Sequence, residues 1–216
     1  MSKRVMFNRI EHTEEAITGV ENVAEYGDRH KRDAGPKYRP LINGIKAQNV
    51  SGRFLEVGAG LGTLAVTIAK SIPDVEITAI DLSPNMAKAG SEYIKESVLK
   101  EKIRYLVCDA ADKSEIEKLG KFDLVYSAFS LHHWRDPERV IKNLLSCIND
   151  NGILYLYDLK RVWWLYLLPI NGGFINSIRA AYLPSEMGAF LEKCGITKYE
   201  MRTHFPYFMQ SIIAKK

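Results

Sequence analysis

From about residue 53 onward, short apolar runs alternate with longer segments of helical period. Each run has the length of a buried strand, and each intervening segment is long enough for a helix that crosses to the next strand. The predicted strands are Phe54–Val57, Val75–Ile80, Ile103–Cys108, Phe122–Ala128 and Ile153–Leu159, with two more near Lys198–Thr203 and Phe208–Ala214. The predicted helices are Gly62–Lys70, Ser83–Leu99, Ala111–Leu119, Asp136–Ile148 and Ser185–Cys194, and Asn149–Gly152 is predicted as a turn. This order predicts an α/β fold with right-handed crossovers and a mainly parallel sheet.

The first 50 or so residues lack this alternation. Two segments, Glu14–Tyr26 and Tyr38–Asn49, have a weak helical period, and Gly27–Pro36 between them is polar and contains Gly and Pro, which favour loops. We therefore expect an N-terminal helical cap or lid over residues 1–50, followed by one domain over residues 51–216. Three residues of the cap are candidates for substrate contact, namely Tyr26, His30 and Tyr38.

Composition and charge are those of an ordinary globular protein. The chain has 216 residues, of which 46% are hydrophobic and 26% charged, which suits one α/β domain with a modest extension. The net charge of +4 permits an anionic substrate but does not require nucleic acid, because the basic residues are scattered apart from the cluster Arg29–Arg32. We interpret that cluster as solvated surface or as a contact for a phosphate or carboxylate.

Cysteine usage and the apolar segments indicate a cellular location. Cys108, Cys147 and Cys194 are widely spaced and odd in number, so neither a disulfide framework nor a zinc or other metal site is predicted. All three are expected to be small core residues in a reducing compartment, which favours the cytoplasm. No apolar run follows Met1–Arg4, so no signal peptide is expected, and the most apolar window, Val162–Ile170, is too short to span a bilayer.

The first predicted strand runs into a glycine-rich turn, Glu56–Thr63, which reads EVGAGLGT. Glycines let the backbone turn sharply and let a ligand approach closely, and the helix behind them offers its unpaired amides. Asp81 ends the next strand, 23 residues after Gly58, near the spacing of a ribose-binding acid. The glycines follow GxGxG rather than the dinucleotide pattern GxGxxG, and Glu56 would repel a pyrophosphate but attract a cationic amine and a sulfonium. The turn therefore favours S-adenosylmethionine (SAM) over a nicotinamide cofactor.

Phe54–Leu64, reading FLEVGAGLGTL, resembles motif I of the class I SAM-dependent methyltransferases. Four further segments resemble other motifs of that superfamily: Ile80–Met86, Cys108–Ala110, Phe122–Ser127 and Asn151–Leu154. Leu183–Gly195 weakly resembles the last helix of the ubiquinone and menaquinone methyltransferases. The resemblance implies a Rossmann-like seven-stranded sheet in the order 3-2-1-4-5-7-6, with helices on both faces and strand 7 antiparallel. It also implies SAM as cofactor, with S-adenosylhomocysteine (SAH) as product.

The resemblance further implies which residues bind the cofactor. They are Glu56, which would reach the methionine amine through water; Gly58, Ala59 and Gly60 along the methionine portion; Asp81 at the ribose; Leu82 and Met86 near the adenine; Asp109 and Ala110 at the adenine edge; and Ser127 at the methionyl backbone. Three of them have a structural alternative. Asp81 and Asp109 could instead cap the helices that follow them, and Met86 could instead be a core residue on an apolar helix face.

The segment after the fourth strand, Ser130–Asp136, contains two adjacent histidines and is expected beside the reactive methyl group. Methyl transfer needs an in-line nucleophile, and it needs a base only when that nucleophile arrives protonated. His132 or His133 could accept such a proton, since histidine titrates near neutral pH. The alternative is a structural or substrate-shaping role. Asp158, at the end of the fifth strand, is a further candidate for substrate or cofactor contact.

An aromatic stretch, Val162–Phe174, lies in an insert over residues 161–183, between the fifth strand and the last predicted helix. Three interpretations are open: a packed cap, a lid over an apolar substrate hinged at Gly172–Gly173, and contact with a membrane interface through the tryptophans. The lid and the membrane contact would both suit a hydrophobic acceptor.

The sequence thus predicts methyl transfer from SAM to a small acceptor, compatible with an apolar one. An RNA or protein methyltransferase and a non-catalytic SAM-binding module stay open as alternatives. The glycine spacing and Glu56 disfavour a nicotinamide oxidoreductase. The resemblance implies an Asn-Pro-Pro-Tyr or similar motif after the fourth strand in amino-directed DNA methyltransferases, and its absence here disfavours them. The acceptor atom and the oligomeric state are not encoded in any of these patterns.

Overall fold

The computed structural model describes residues 8–11, 36–170 and 172–216. The strands within these ranges are β1 (Gly52–Val57), β2 (Val75–Asp81), β3 (Ile103–Val107), β4 (Phe122–Ala128), β5 (Ile148–Leu159), β6 (Tyr199–His204) and β7 (Met209–Lys215). The α-helices there are α1 (36–47), α2 (Thr63–Ser71), α3 (Pro84–Lys95), α4 (Lys113–Lys118), α5 (Pro137–Ser146), α6 (Gly173–Ala180) and α7 (Pro184–Lys193). Single 3-10 turns cover Leu131–His133 and Trp163–Tyr166.

The described strands form one sheet in the order β3-β2-β1-β4-β5-β7-β6. The first five strands pair in parallel, and β7 runs antiparallel to both β5 and β6. This confirms the predicted fold class, strand order and orientation. Because the first five strands are parallel, their carboxyl ends lie at one edge of the sheet, where α/β proteins bind ligands.

Helices cover both faces of the sheet, and the residues of each strand alternate between the two resulting cores. One core joins Phe54 and Tyr126 to apolar residues of α1, α2 and α3. The other joins Leu55 and Val125 to apolar residues of α4, α5 and α7. The central strands are therefore buried on both sides, as their nearly continuous apolar runs predict.

Two helices begin at the cap-then-proline signals seen in the sequence. Ser83 precedes Pro84, and its hydroxyl accepts the Met86 amide proton. Asp136 precedes Pro137 in the same way, and its carboxylate accepts from the Arg139 amide. Each side chain satisfies an amide that has no partner within its helix, so these starts were predictable from local sequence.

Several predicted boundaries were wrong. Asn149–Gly152 is not a turn between elements but part of β5, where the pairing shifts from Phe122↔Ile148 to Leu124↔Ile153. Four residues of β5 thus bulge opposite Asp123, whose carboxylate accepts from the Asn149 side chain at 2.7 Å. The bulge absorbs the residues with turn propensity, including Asn151 at φ 67°, without ending the strand.

The other errors concern helix and strand ends. The helix expected to reach Leu99 ends at Lys95, because the backbone turns at Ser97, whose hydroxyl accepts the Leu99 amide. The helix expected from Ala111 begins after Asp112, which caps it. The predicted core cysteines also need one correction: Cys108 and Cys147 are buried, but Cys194 at the end of α7 is partly exposed.

Helix α1 packs directly on the sheet, which confirms the weak helical period predicted from Tyr38. Tyr38, Leu41, Ile42 and Ile45 are buried in the first core, and the Tyr157 hydroxyl donates to the Lys37 carbonyl at 3.1 Å. The predicted helix Glu14–Tyr26, the loop over 27–35, the cluster Arg29–Arg32 and the candidates Tyr26 and His30 lie outside the described residues.

Close packing of α1 depends on Gly44. A Cβ atom there would lie 2.0 Å from the hydroxyl oxygen of Tyr155. We predict that Gly44→Ala lowers the free energy of unfolding by about 1–3 kcal/mol, because α1 or Tyr155 must move. Denaturant titration measures this. Gly173→Ala is the matched control, since nothing lies within 4 Å of a Cβ at that position; equal stability loss in both variants would contradict close packing of α1.

Candidate active site

The carboxyl ends of the parallel strands surround a cavity of about 310 Å³. The loops after β1, β2, β3 and β4 and the start of α5 form its walls. Its lining residues are Val57, Gly58, Gly60, Ile80, Asp81, Leu82, Met86, Cys108, Asp109, Ala110, Ala111, Phe129, Ser130, His133, Trp134, Arg135, Asp136, Arg139 and Val140. Seven of the ten predicted cofactor residues and one of the three predicted catalytic residues are in this set.

The glycine-rich turn forms one wall of the cavity, and its conformation explains the glycines. Gly58, Gly60 and Gly62 have φ values of 71°, 55° and 69°, in the left-handed region that residues with a Cβ rarely adopt. A Cβ on Gly58 would also lie 2.2 Å from the Ser130 hydroxyl oxygen. The Gly60 carbonyl accepts from the Tyr105 hydroxyl at 2.6 Å, which ties the turn to β3.

Asp81 faces the cavity at the end of β2. Its carboxylate accepts from the Gly60 amide and from the Ser83 amide, each at 2.9 Å. Burial raises the pKa of this carboxyl, and the two amide hydrogen bonds oppose that rise. The helix that follows is capped by the Ser83 hydroxyl, so capping does not account for the Asp81 side chain.

The loops after β2 and β3 form the opposite end of the cavity. Leu82, Met86, Asp109 and Ala110 all line it. Asp109 accepts from the Ala111 amide at 2.8 Å, whereas Asp112 caps α4, so Asp109 is not the helix cap. Met86 is both core and lining: it is buried against Leu61 and borders the cavity.

Glu56 lies behind the glycine turn rather than on the cavity wall, with only 3% of its surface exposed. The Tyr126 hydroxyl donates to its carboxylate at 3.0 Å. Burial raises the pKa of Glu56 to about 8, and the nearby Asp81 charge adds to the increase. The carboxyl is therefore mostly protonated at neutral pH unless a cation comes close.

Two other predicted cofactor residues do not line the cavity. Ala59 is buried within the turn. Ser127 is also buried, and its hydroxyl donates to the Val57 carbonyl at 2.9 Å. In the structure Ser127 thus joins β4 to β1 just before the glycine turn.

Of the two histidines, His132 is buried and held by Asp158. The carboxylate accepts from the His132 amide and is bonded to its ring Nδ1, both at 2.7 Å. Because a carboxylate only accepts, Nδ1 is the donor in this contact. Asp158 is buried as well, and its carboxylate also accepts from the Leu159 amide at 2.6 Å. Neither residue lines the cavity.

His133 does line the cavity, and its ring centroid lies 4.2 Å from that of His132. Trp134 is next to it and donates from Nε1 to the Ser130 hydroxyl at 3.2 Å. Sequence reasoning placed the segment that begins at Ser130 beside the reactive methyl group but missed Phe129 as a lining residue. Phe129 has a φ of 54°, and neither its own identity nor its neighbours signal that conformation.

The insert over residues 161–183 is partly packed and partly exposed. Its own small core contains Val162, Leu165, Ile178 and Ala181. Its exposed apolar side chains form what we call the apolar strip: Trp163, Trp164, Leu167, Leu168, Ile170 and Phe174. Trp163 is 60% exposed. A search of the described residues found no helix that is both long and apolar enough to cross a membrane.

Comparison with known proteins identifies this arrangement. A family model described as a methyltransferase domain matches residues 55–154, which include the glycine turn, Asp81, Asp109 and both histidines. The chain is 28% identical over 182 residues to a ubiquinone biosynthesis O-methyltransferase of Xanthomonas axonopodis pv. citri, covering 76% of this chain and 74% of the relative. It is 25% identical over 153 residues to a demethylmenaquinone methyltransferase of Porphyromonas gingivalis, covering 64% and 62% of the two chains.

Solved structures share the fold. PigF, determined with SAH, superposes with a TM-score of 0.73 at 15% identity, covering 92% of this chain and 60% of that one. A SAM-dependent methyltransferase of Aquifex aeolicus superposes with a TM-score of 0.68 at 17% identity, covering 92% and 99%. At these identities the likeness is one of fold alone, and the chain spans only about three fifths of PigF. Together, the matched methyltransferase domain, the sequence relatives and the shared fold support a SAM-dependent methyltransferase that is similar to the enzymes of the ubiquinone and menaquinone branch.

Proposed function

We propose that the protein transfers the methyl group of SAM to a small acceptor with an aromatic, hydroxyl-bearing ring. One observation carries the proposal: a single cavity joins Gly58, Asp81 and Asp109 to His133 and Trp134. A cofactor held by the first three residues would present its sulfonium toward the last two. An acceptor placed there would be in line with the methyl group, and positioning supplies much of the acceleration in such displacements.

The proposed cofactor contacts follow from the wall that each residue forms. The Asp81 carboxylate would accept from the ribose hydroxyls, and Asp109 with Ala110 would border the adenine. Leu82 and Met86 supply apolar surface for the adenine faces. Glu56 would act from behind the turn on the methionine amine, through water. Ala59 and Ser127 would support the turn rather than touch the ligand.

The acceptor class is inferred from the aromatic end of the cavity and from the relatives. Phe129 and Trp134 offer flat apolar surface and His133 a flat polar ring, which suits a planar ring that carries a hydroxyl group. The relatives are named as ubiquinone and demethylmenaquinone methyltransferases. Acceptors related to quinols and catechols fit both observations.

His133 is proposed to accept the hydroxyl proton, because of the two histidines it is the one that lines the cavity. His132 and Asp158 would support it from behind, through the ring contact and the fixed turn. The proton would move from the acceptor oxygen to the imidazole as the oxygen attacks the methyl carbon, and SAH would leave as a neutral thioether.

Residues 1–50 and the insert over 161–183 are proposed to enclose the acceptor, which would exclude water from the reaction. For the apolar strip, membrane contact stays a prediction, which sedimentation with vesicles would test. The cytoplasmic location inferred from the cysteines also stays a prediction. An RNA or protein substrate would depend on the cluster Arg29–Arg32, which lies outside the described residues.

Methylation of a simple acceptor tests the proposed function. Wild-type protein with labelled SAM should methylate 4-alkylcatechol or 1,4-naphthohydroquinone, and NMR of the product distinguishes O- from C-methylation, which give the same mass. Asp81→Asn should weaken SAH binding by about tenfold or more in calorimetry, because an amide NH₂ would face the donating Gly60 or Ser83 amide.

The control for this substitution is Asp112→Asn. It makes the same chemical change at an exposed helix cap, where Asn and Asp serve about equally. SAH affinity should then be unchanged. Wild-type protein that binds SAH but methylates neither acceptor would point to the non-catalytic alternative or to another substrate class.

Glu56 should couple cofactor binding to proton release. Its pKa of about 8 in the unliganded protein means that it is mostly protonated at neutral pH, and the ammonium group of SAH favours the carboxylate. We therefore predict that SAH binding near pH ~7 releases up to about one proton and that affinity rises with pH below the pKa of Glu56. Calorimetry in two buffers of different ionisation enthalpy measures the released proton.

Glu56→Gln is the control, because it retains an oxygen acceptor for Tyr126 but cannot ionise. Its binding enthalpy should not depend on the buffer. Buffer-independent enthalpies for the wild-type protein would instead show that the protonation of Glu56 does not change on binding.

The two histidines should differ in their contribution. We predict that His133→Gln lowers kcat by about 100-fold with little change in SAH affinity, since it removes the proton acceptor at the cavity. The wild-type rate should rise with pH through the range in which histidine loses its proton, and this dependence should be lost in the variant. His132→Gln should lower kcat less and leave the pH dependence in place; a larger loss in His132→Gln would assign the proton transfer to His132.

A further inference from the structure

Residues 8–11, which we call the strap, lie against the insert and the histidine turn. The Tyr166 hydroxyl donates to the Asn8 carbonyl at 2.9 Å. The Ile10 amide donates to the Arg179 carbonyl at 3.2 Å. The strap is thus bonded both to the 3-10 turn of the insert and to the last turn of α6.

Arg9 connects the insert to the histidine turn itself. Its Nε donates to the Ala180 carbonyl at 2.6 Å, and its Nη2 donates to the His132 carbonyl at 3.2 Å. Its guanidinium carbon lies 4.2 Å from the ring centroid of Tyr182, whose hydroxyl donates to the Trp134 carbonyl at 3.0 Å. Arg9 and Tyr182 therefore hold the carbonyls on both sides of His133.

The insert segment whose carbonyl accepts from Arg9 is itself fixed by hydrogen bonds to its next two carbonyls. The Ala181 carbonyl accepts from Arg161 Nη1 at 3.0 Å, and the Tyr182 carbonyl accepts from Gln210 Nε2 at 2.8 Å. Gln210 lies on β7, and Arg161 is the first residue of the insert, close to the end of β5. Arg9 thus spans from a segment fixed to the sheet to the turn that carries His133.

The far side of the turn is fixed by Asp158. The carboxylate holds both the amide and the ring Nδ1 of His132, and Arg9 holds its carbonyl. His132 is therefore bonded at three polar atoms by two residues that are far apart in the chain. The next residue, His133, lines the cavity. Its position therefore depends on the contacts that both Asp158 and Arg9 make with His132.

From this geometry we propose that Arg9 is a positioning residue, which sets the place of His133 for the methyl transfer proposed above. The inference rests on that proposed function. Arginine suits the task because its planar fork donates in two directions while its face stacks on Tyr182. Lysine donates from a single nitrogen, so it lacks both the separate Nε and Nη2 donors of Arg9 and the planar face that stacks on Tyr182.

The test compares Arg9→Met and Arg9→Lys with the wild-type chain. Amide hydrogen exchange is followed at His132, His133 and Trp134, whose amides donate to Asp158, Ser130 and Leu131. Arg9→Met should speed their exchange by about fivefold or more. It should lower kcat for 4-alkylcatechol by about tenfold, because a small displacement of the base is costly, and leave the Kd for SAH within about twofold. Arg9→Lys should give amide exchange rates and a kcat between those of Arg9→Met and the wild-type protein.

Arg202→Met is the control, because Arg202 is an exposed arginine on β6 that forms an ion pair with Glu200. It should change neither exchange at the turn nor kcat. Unchanged exchange at the three amides in Arg9→Met would overturn the proposal, and so would a loss of SAH affinity as large as the loss of kcat. If wild-type protein methylates no acceptor, the proposed function fails, while exchange at the turn still decides whether Arg9 holds it.

Discussion

The hydrogen bond from the Gly60 amide to the Asp81 carboxylate is the contact on which the site depends. It joins the turn after β1 to the end of β2, and it can form only because these strands are parallel neighbours in register, with Val57 opposite Ile80. The Tyr105 hydroxyl holds the carbonyl of the same glycine from β3. Three adjacent strands therefore fix one residue whose backbone borders the cavity.

Two acids near this turn differ in what stabilises their negative charge. Burial raises the pKa of both Asp81 and Glu56. Asp81 has two amide donors to stabilise its charge, whereas Glu56 has a tyrosine hydroxyl and lies deeper. The acid on the wall, Asp81, is thus stabilised by the backbone of the fold, and the acid behind it, Glu56, has no such pair of amide donors.

Much of this arrangement could be predicted from the sequence because it depends on local patterns. Strand runs, the two cap-then-proline helix starts and the spacing from Gly58 to Asp81 each involve residues within one βαβ unit. The superfamily motifs then supplied the strand order and most of the cavity wall. Ser127 shows the limit of this carry-over, since its hydroxyl is taken by the Val57 carbonyl.

What could not be predicted depends on residues far apart in the chain. The contact between His132 and Asp158 requires β4 and β5 to end level with each other, and the bulge in β5 that shifts their register was itself predicted as a turn. The hydrogen bond from Arg9 to the His132 carbonyl joins residues 123 positions apart, and no periodic pattern in the sequence signals it. Phe129 adopts a left-handed conformation that its identity disfavours, so only the surrounding packing determines it.

The placement of β7 has a consequence for how the protein is made. β7 lies between β5 and β6, although it follows both in the chain, and Gln210 on it sits opposite Asp158. During synthesis, β6 leaves the ribosome before the strand that connects it to the sheet exists. The edge of β5 beside the histidine turn stays unpaired until residues 209–215 emerge, so the arrangement around His132 and Asp158 is completed only after β7 has been synthesised.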